Sequence, residues 1–166
     1  MDTPFKHLLA AYQRRAYLAA LGWMGNEQEA VELAQEAMLK AWRARASYDT
    51  GRPFYPWLHV IVKNTCRDAL ARRRRAPLTG LEVERVADDG PRPDAQIGNQ
   101  QRHQHLHHAL SQLQPDHREI LILRHFEDLS YAEIAEQLGL AQGTVMSRLY
   151  RARRALLLQL EQQDSP

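Results

Sequence analysis

The stretch SYAEIAEQLGLAQGTVMSRLYR (130–151) decides the fold, because its residue types follow the spacing of a helix-turn-helix. Ser130 and Glu133 stand at the capping-box positions that open a short helix. Ala135 is small enough for two helices to cross, and Gly139 tolerates the left-handed backbone that the turn needs. The apolar residues that would lock the helices together are Ile134, Leu138, Leu140, Val145 and Leu149. The alternative is a plain helical hairpin, which would not need all these features at once.

The helix after the turn, from about Gln142 to Gln162, is the predicted recognition helix. Val145, Leu149, Ala152 and Leu156 would form its inner seam. Residues 142–163 contain four arginines and one acidic residue, so the outer side is basic. A basic helix face is typical of DNA binding. A merely solvated charged face is the alternative.

The segments on both sides of an acidic middle are also predicted to be helical. Period-two alternation is missing, and Ala, Leu, Gln, Arg and Glu dominate. The expected helices are about Pro4–Leu21, Glu27–Ala46 with Asn26 as N-cap, Pro53 to the arginines at 72–75, Asn99–Leu113, Pro115–Glu127, Tyr131–Leu138 and the recognition helix. The predicted buried stripes are Val31, Ala34, Met38, Ala41, Trp42 and Arg45 in the second helix and Phe54, Trp57, Leu58, Ile61, Thr65 and Ala69 in the third. The predicted fold class is therefore all-α.

Net charge and the positions of proline and glycine divide the chain into two domains and a linker. Net charge is +6 over 1–75, −3 over 76–98 and −1 over 99–166. The middle segment also contains three prolines and three glycines, so we expect a flexible acidic linker between two small helical domains. The second domain would contain the helix-turn-helix.

Composition excludes several classes of protein. Apolar residues make up 44% of the 166, which is enough for packed cores. The single cysteine, Cys66, excludes a disulfide framework and a cysteine-rich zinc site. The sequence lacks a run apolar enough to span a membrane and a secretory signal pattern, so we expect a cytoplasmic location without membrane insertion.

The first domain presents two candidate surfaces. Glu32, Gln35 and Glu36 follow i, i+3, i+4 spacing on the second helix and could bind a basic partner, although a solvated face is the simpler interpretation. The third helix combines early aromatic residues with a long basic end, a pairing that suits unpaired nucleic acid. Its candidates are Trp57, Lys63, Asn64, Arg67, Arg72 and Arg73. Alternatively, the aromatic rings belong to the core.

Several motifs occur in one order: EAVELAQEAMLKAW (29–42), GRPFYPWLHVIVKN (51–64), DALARRRR (68–75), an acidic linker, and the region 110–156 around the helix-turn-helix. Over nearly its whole length the chain resembles the extracytoplasmic-function (ECF) group of bacterial sigma factors. The resemblance implies a transcription initiation factor that binds core RNA polymerase and promoter DNA. It also implies an anti-sigma partner.

The resemblance assigns roles to particular residues. It implies that Glu32, Gln35 and Glu36 dock on the polymerase. The loop residues Asp49 and Arg52, with the start of the third helix, would capture unpaired bases of the promoter −10 element. The implied contacts to the −35 duplex are Thr144, Met146, Ser147, Arg148, Tyr150 and Arg151. The two elements lie more than one helical turn apart, over about 35 Å. A 23-residue linker reaches roughly 75 Å when extended but averages only about 26 Å as a coil, so it must be held extended.

Two features depart from the family pattern, and two other functions compete. Members often carry a basic residue where Met146 stands, so Met146 would read its base by apolar contact or merely cover the helix. The cluster His103, His105, His107 and His108 could ligate zinc or nickel through its i, i+4 pair, but a third ligand is not evident. A stand-alone operator-binding regulator is the main alternative function. An enzyme is not expected, because phosphate-loop, metalloprotease and nucleophile motifs are missing, and a cofactor is not expected either.

Overall fold

The computed structural model describes residues 2–76 and 94–164, with side chains from 4–76 and 98–164. Within these ranges the chain forms seven α-helices, one short 3₁₀ helix and no strand. The all-α prediction is therefore confirmed, with two small helical domains of which the second contains the helix-turn-helix. The predicted linker residues 77–93 lie outside the described residues.

Three helices build the first domain: α1 (Asp2–Met24), α2 (Glu27–Arg43) and α3 (Phe54–Arg75), with the 3₁₀ helix (Arg45–Ser47) after α2. Asn26 caps α2 as predicted, since its Oδ1 accepts a hydrogen bond from the Glu29 amide at 2.9 Å. Alanines of α1 and α2 let these helices approach closely. Aromatic rings of Phe5, Tyr12, Phe54 and Tyr55 fill the space towards α3.

Four helices build the second domain: α4 (Asp94–Ser111), α5 (Pro115–His125), α6 (Tyr131–Leu138) and α7 (Gln142–Asp164). Both bonds of the predicted capping box at Ser130 and Glu133 are present. Gly139 ends α6 with φ +65°, the left-handed turn that the sequence predicts. Ile134, Val145 and Leu149 are fully buried in the core that locks α6 on α7.

Some helix limits differ from the prediction. Helix α2 stops at Arg43 rather than near Ala46, because the chain tightens into the 3₁₀ helix. Helix α5 ends at His125 rather than Glu127, and α4 begins at Asp94 rather than near Asn99. The first five residues of α4 thus fall within the stretch assigned to the linker. The change at α2 matters for function, since it sets the start of the loop that leads to α3.

The predicted buried stripe of α2 is partly wrong. Val31 is 43% exposed and Arg45 is exposed, whereas the buried face is Ala30, Leu33, Ala34, Ala37 and Ala41. The buried face is rotated because α1 packs on the alanines and leaves the larger apolar side chain outside. In α3, Trp57 and Ile61 are only half-buried, while Tyr55, His59, Val62 and Cys66 join the buried face.

The two domains are in contact with each other. Ile122 of α5 is fully buried and packs in the hydrophobic core of the first domain. Phe126 contacts the cores of both domains. The second domain therefore lies against α1 and α3 in this structure.

Candidate nucleic-acid and protein interfaces

The recognition helix presents its predicted contact residues to solvent. Thr144, Ser147 and Arg151 are exposed, and Met146 and Tyr150 are 57% and 61% exposed. Their backbone is held from behind by Val145 and Leu149, which are fully buried. The structure thus leaves five of the six predicted residues accessible to solvent.

Local bonds fix the polar side chains of this surface. The Ser147 hydroxyl donates to the Thr144 carbonyl at 3.1 Å, and Arg151 Nε donates to the Ser147 carbonyl at 3.4 Å. Arg148 is less accessible and lies 4.0 Å from a carboxylate oxygen of Asp116 in α5. Arg148 is therefore better placed to connect α7 with α5 than the other predicted residues are.

The loop between the 3₁₀ helix and α3 is held by its own side chains. The Tyr48 hydroxyl donates to the Arg52 carbonyl at 2.7 Å. Asp49 Oδ1 accepts from the Gly51 amide at 2.9 Å, and the Asp49 carbonyl accepts from the Arg52 amide at 3.0 Å. Arg52 Nε lies 3.4 Å from Asp49 Oδ2, so these two predicted residues are paired at the loop surface.

A cavity of about 410 Å³ opens beside this loop. Its first-domain lining is Ser47, Tyr48, Asp49, Arg52, Pro53, Pro56 and Trp57. The sequence left open whether the aromatic rings belong to the core or contact nucleic acid. Trp57 fits both, since it packs on Tyr48 and Phe54 but is half-exposed and lines the cavity. Phe54 is buried and belongs to the core. A cavity with one aromatic wall and charged groups at its edge suits a planar, unstacked base.

Some of the predicted polar and basic side chains on α3 are free in solvent, and others are paired with carboxylates. Asn64, Arg67 and Arg72 are exposed. Lys63 is not free, because its Nζ donates to Glu119 Oε1 of the second domain at 3.0 Å. Arg73 pairs with Glu29 of α2. The exposed residues continue from the cavity towards the C-terminal end of α3.

The polar patch on α2 borders an apolar groove. Glu32 and Gln35 are exposed, and Glu36 Oε1 pairs with Lys40 Nζ at 2.9 Å. Val31 and Leu39, one helical turn before and after Gln35, are 43% and 57% exposed. The groove lies between α1 and α2, with Tyr17, Met38 and Trp42 among its walls. Exposed apolar side chains ringed by polar ones are typical of a protein interface. The sequence pattern predicted Val31 to be buried and did not single out Leu39.

The four histidine side chains of α4 do not point to a common site. His103, His105 and His108 are exposed, whereas His107 turns towards the first domain. Burial lowers the pKa of His107, whose Nε2 lies 3.2 Å from the Trp23 carbonyl. Within the described ranges, no group of three or more His, Cys, Asp or Glu side chains could hold a metal ion.

Comparison with known proteins identifies the class to which this arrangement belongs. The family described as "Sigma-70 region 2" matches residues 8–76, and "Sigma-70, region 4" matches residues 103–156. The RNA polymerase sigma-H factor of Pseudomonas aeruginosa is 34% identical over 92% of this chain and 83% of its own. The ECF sigma factor SigE of Mycolicibacterium smegmatis is 34% identical over 90% of this chain and 58% of its own.

Solved structures agree with these matches. CnrH in complex with the cytosolic domain of CnrY superposes with a TM-score of 0.66 at 27% identity, covering 99% of this chain and 92% of that one. RpoE of Bartonella quintana, in complex with the anti-sigma factor NepR, superposes with a TM-score of 0.64 at 29% identity, covering 95% and 97%.

The class is therefore that of promoter-recognising initiation factors with one helical domain of each of these two types. The chain belongs to the sigma-70 family, in its ECF group, and it directs RNA polymerase to promoters. The stand-alone operator-binding alternative is not favoured. Among the residues that the structure describes, no helix is long and apolar enough to cross a bilayer.

Proposed function

We propose that the two domains divide promoter recognition between them. The first domain, 1–75, binds core polymerase and opens the −10 element. The second, 99–166, reads the −35 element as duplex, and the segment 76–98 spans the distance. The observation that carries this assignment is the presence, in one chain, of a solvent-exposed recognition helix and of a preformed loop cavity beside exposed basic residues.

The polymerase-binding surface is proposed to be the α2 patch together with the groove beside it. Glu32, Gln35 and Glu36 supply charge and hydrogen bonds for a basic partner helix. Val31 and Leu39 add apolar area on the same face, at i±4 from Gln35. A polar rim around exposed apolar side chains gives both register and affinity.

The −10 site is proposed to comprise Asp49, Arg52 and Trp57 at the cavity, with Lys63, Asn64, Arg67, Arg72 and Arg73 along α3. Flipping a base out of the stack costs a few kcal/mol, and stacking on Trp57 together with the cavity walls offsets that cost. The arginines neutralise strand phosphates without reading sequence.

The −35 site is proposed to be Thr144, Met146, Ser147, Arg148, Tyr150 and Arg151. Arg151 can bridge guanine O6 and N7, whereas Met146 offers only apolar contact to a thymine methyl. One base position is then read without hydrogen bonds, and Arg151 supplies much of the remaining specificity. Arg148 contributes less directly, because Asp116 draws it towards α5.

The protein's other properties follow from this role. It works in the cytoplasm, where polymerase and promoters are found, and it supplies no catalysis or cofactor of its own. An anti-sigma factor controls it, as indicated by the structural relative that was solved with the anti-sigma factor NepR.

The assignment is tested by charge reversal on α2. Glu36→Lys should weaken binding to core polymerase at least tenfold, because it places a cation against a basic partner. Its helical circular dichroism should not change, since Glu36 is on the surface. Asp68→Lys, an exposed charge reversal on α3 of the same domain, is the matched control. Equal core affinity for both variants and wild type, measured by fluorescence titration, would reject the docking surface.

A further inference from the structure

One face of α3 and one face of α5 are joined by buried ionisable groups. Tyr55, His59 and Lys63 follow each other at four-residue spacing on α3. The Tyr55 hydroxyl donates to Glu127, His59 Nε2 lies 3.2 Å from Glu119 Oε1, and His59 Nδ1 lies 3.3 Å from Glu127 Oε1. With the Lys63–Glu119 pair, two carboxylates of the second domain meet three polar groups of the first.

These groups are buried where the two domains meet. His59 is 1% exposed, Tyr55 4%, Glu127 6% and Glu119 9%. Burial lowers the pKa of His59, but its bonds to Glu119 and Glu127 outweigh burial and leave the pKa above its usual value. Burial raises the pKa of Glu119, yet His59 and Lys63 hold it below its usual value. Removing one partner would leave an uncompensated buried charge, so the arrangement is selective for this mutual docking.

The end of α1 completes the contact. Arg118 of α5 donates to the Trp23 carbonyl, and its guanidinium lies 5.0 Å from the centroid of the Trp23 ring. Gly22 allows α5 to approach closely: a Cβ there would lie 2.8 Å from one γ carbon of Ile122 and 3.1 Å from the Phe126 ring. Close apolar packing and paired charges coincide, as in a specific interface.

Docking changes the two DNA-facing surfaces differently. Glu136 of α6 forms a wall of the cavity that Trp57 lines, and Lys63 is paired with Glu119. The recognition helix residues Met146 and Tyr150 stay exposed. The docked second domain thus covers part of the −10 site and leaves the −35 surface free.

We infer that the second domain docks on the first as a self-inhibitory interface, which must open before the −10 element can be captured. This inference rests on the proposed function, because it takes the cavity as the −10 site. An unpaired base in the cavity beside Trp57 would compete for space with Glu136 of the second domain, so the domains must separate to admit it. Capture of the −10 strand and domain docking are then mutually exclusive, and core polymerase binding favours the open form.

The experiment measures the distance between domains in the free, full-length protein. Spin labels are placed at Arg43→Cys and Gln162→Cys, both exposed. The native thiol should stay unlabelled, because Cys66 is fully buried and its burial also raises the pKa of the thiol. Wild type should give one short distance distribution. Gly22→Leu, which inserts a side chain against Ile122, should give a longer and broader one. Gly98→Leu is the matched control, since nothing lies within 4 Å of a Cβ at Gly98.

A second pair of variants tests the charges without adding bulk. Glu119→Lys should lengthen the distance by opposing Lys63 and His59. Adding Lys63→Glu to Glu119→Lys should shorten the distribution again, because the new lysine regains a carboxylate partner while only His59 still opposes it. A general loss of stability could not be reversed in this way. A wild-type distribution as long as those of both opened variants would overturn the inference, and so would a double variant as open as Glu119→Lys alone.

A binding assay connects opening to the −10 site. A fluorescent pool of short single-stranded DNA with randomised sequence is titrated without polymerase. Gly22→Leu should bind about tenfold more tightly if nine-tenths of wild-type molecules are closed. Unchanged affinity in a variant whose distance has lengthened would contradict the self-inhibition. A wild type that is closed alone but initiates at no promoter with core polymerase would instead remove the proposed function and leave the docking standing.

Discussion

The recognition helix and the −10 surface are both proposed to face DNA, but they are built in different ways. The recognition face of α7 is formed by residues within ten positions of each other and is exposed in this structure. The −10 surface combines a loop, one side of α3 and, in the docked state, Glu136 from the other domain. The first depends on local sequence and the second on long-range packing. The recognition face can therefore bind DNA without rearrangement, whereas the −10 surface can bind only after the two domains separate.

The largest expected effect is a loss of stability in the domain that contains the recognition helix. Leu149→Ala removes a fully buried side chain from the core between α6 and α7, which should cost about 2–5 kcal/mol of unfolding free energy. Leu158→Ala on the same helix is the control, because Leu158 is 55% exposed and should change stability by less than about 0.5 kcal/mol. Denaturant unfolding monitored by circular dichroism measures both. Equal losses would mean that α7 is not anchored as described.

Removing one readout side chain should have the next largest effect. Arg151→Ala should weaken binding to a −35 duplex by about 1–3 kcal/mol and relax one base position, because its guanidinium is accessible on the recognition face. Arg153→Ala removes the same charge from a residue beside the groove with Leu156 and Leu157, so it should not change base preference. A promoter-library selection with core polymerase compares the two. The same −35 sequence preference for Arg151→Ala and wild type would exclude Arg151 from readout.

A smaller effect is expected on the −10 side. Asn64→Ala should reduce opening of particular −10 sequences by roughly 1 kcal/mol, the typical contribution of one hydrogen bond, because Asn64 is exposed on α3, two turns after Trp57. Permanganate footprinting of open complexes measures it, with −35 duplex affinity as the internal control. Unaltered opening across a set of −10 sequences would remove Asn64 from the site.

The smallest effect concerns pH and the docked state. His59 faces Tyr55 and Lys63 on its own helix and Glu119 and Glu127 from the second domain, and Arg15 of α1 lies over the Tyr55 ring. The pKa of His59 is raised in the docked state, so protonation favours docking. This stabilisation of the docked state is fully present below the ordinary histidine pKa of about 6.5, and it is lost as pH rises through the raised pKa.

The spin-label distance should therefore lengthen as pH rises above neutral. His59→Gln keeps a hydrogen-bonding group but does not titrate, so its distance should be independent of pH over the same range. A wild-type distance that shortens with rising pH would contradict the sign of this linkage.

The sequence predicts the second domain well because its signals are local. The capping box at Ser130 and the left-handed Gly139 each depend on residues within one turn, and both are confirmed. The predicted stripe of α2 failed at Val31, since helical periodicity alone does not tell which of two adjacent faces α1 will cover. His59 and Glu119, 60 residues apart, were missed because neither carries a signal of pairing until the domains meet. The site residues themselves stay predictions until they are tested.

The loop ahead of α3 has a consequence for how a base would be chosen. Tyr48, Asp49 and Arg52 already hold it through hydrogen bonds of 2.7–3.0 Å within the loop. Ordering a loop residue costs about 1–2 kcal/mol of backbone entropy. This loop is already ordered in the folded protein, so DNA binding does not have to order it. A rigid cavity selects bases by excluding those that do not fit, whereas a flexible one would adapt to each base. Replacing the loop with glycines would thus be expected to broaden the set of accepted bases while lowering the affinity for every one of them.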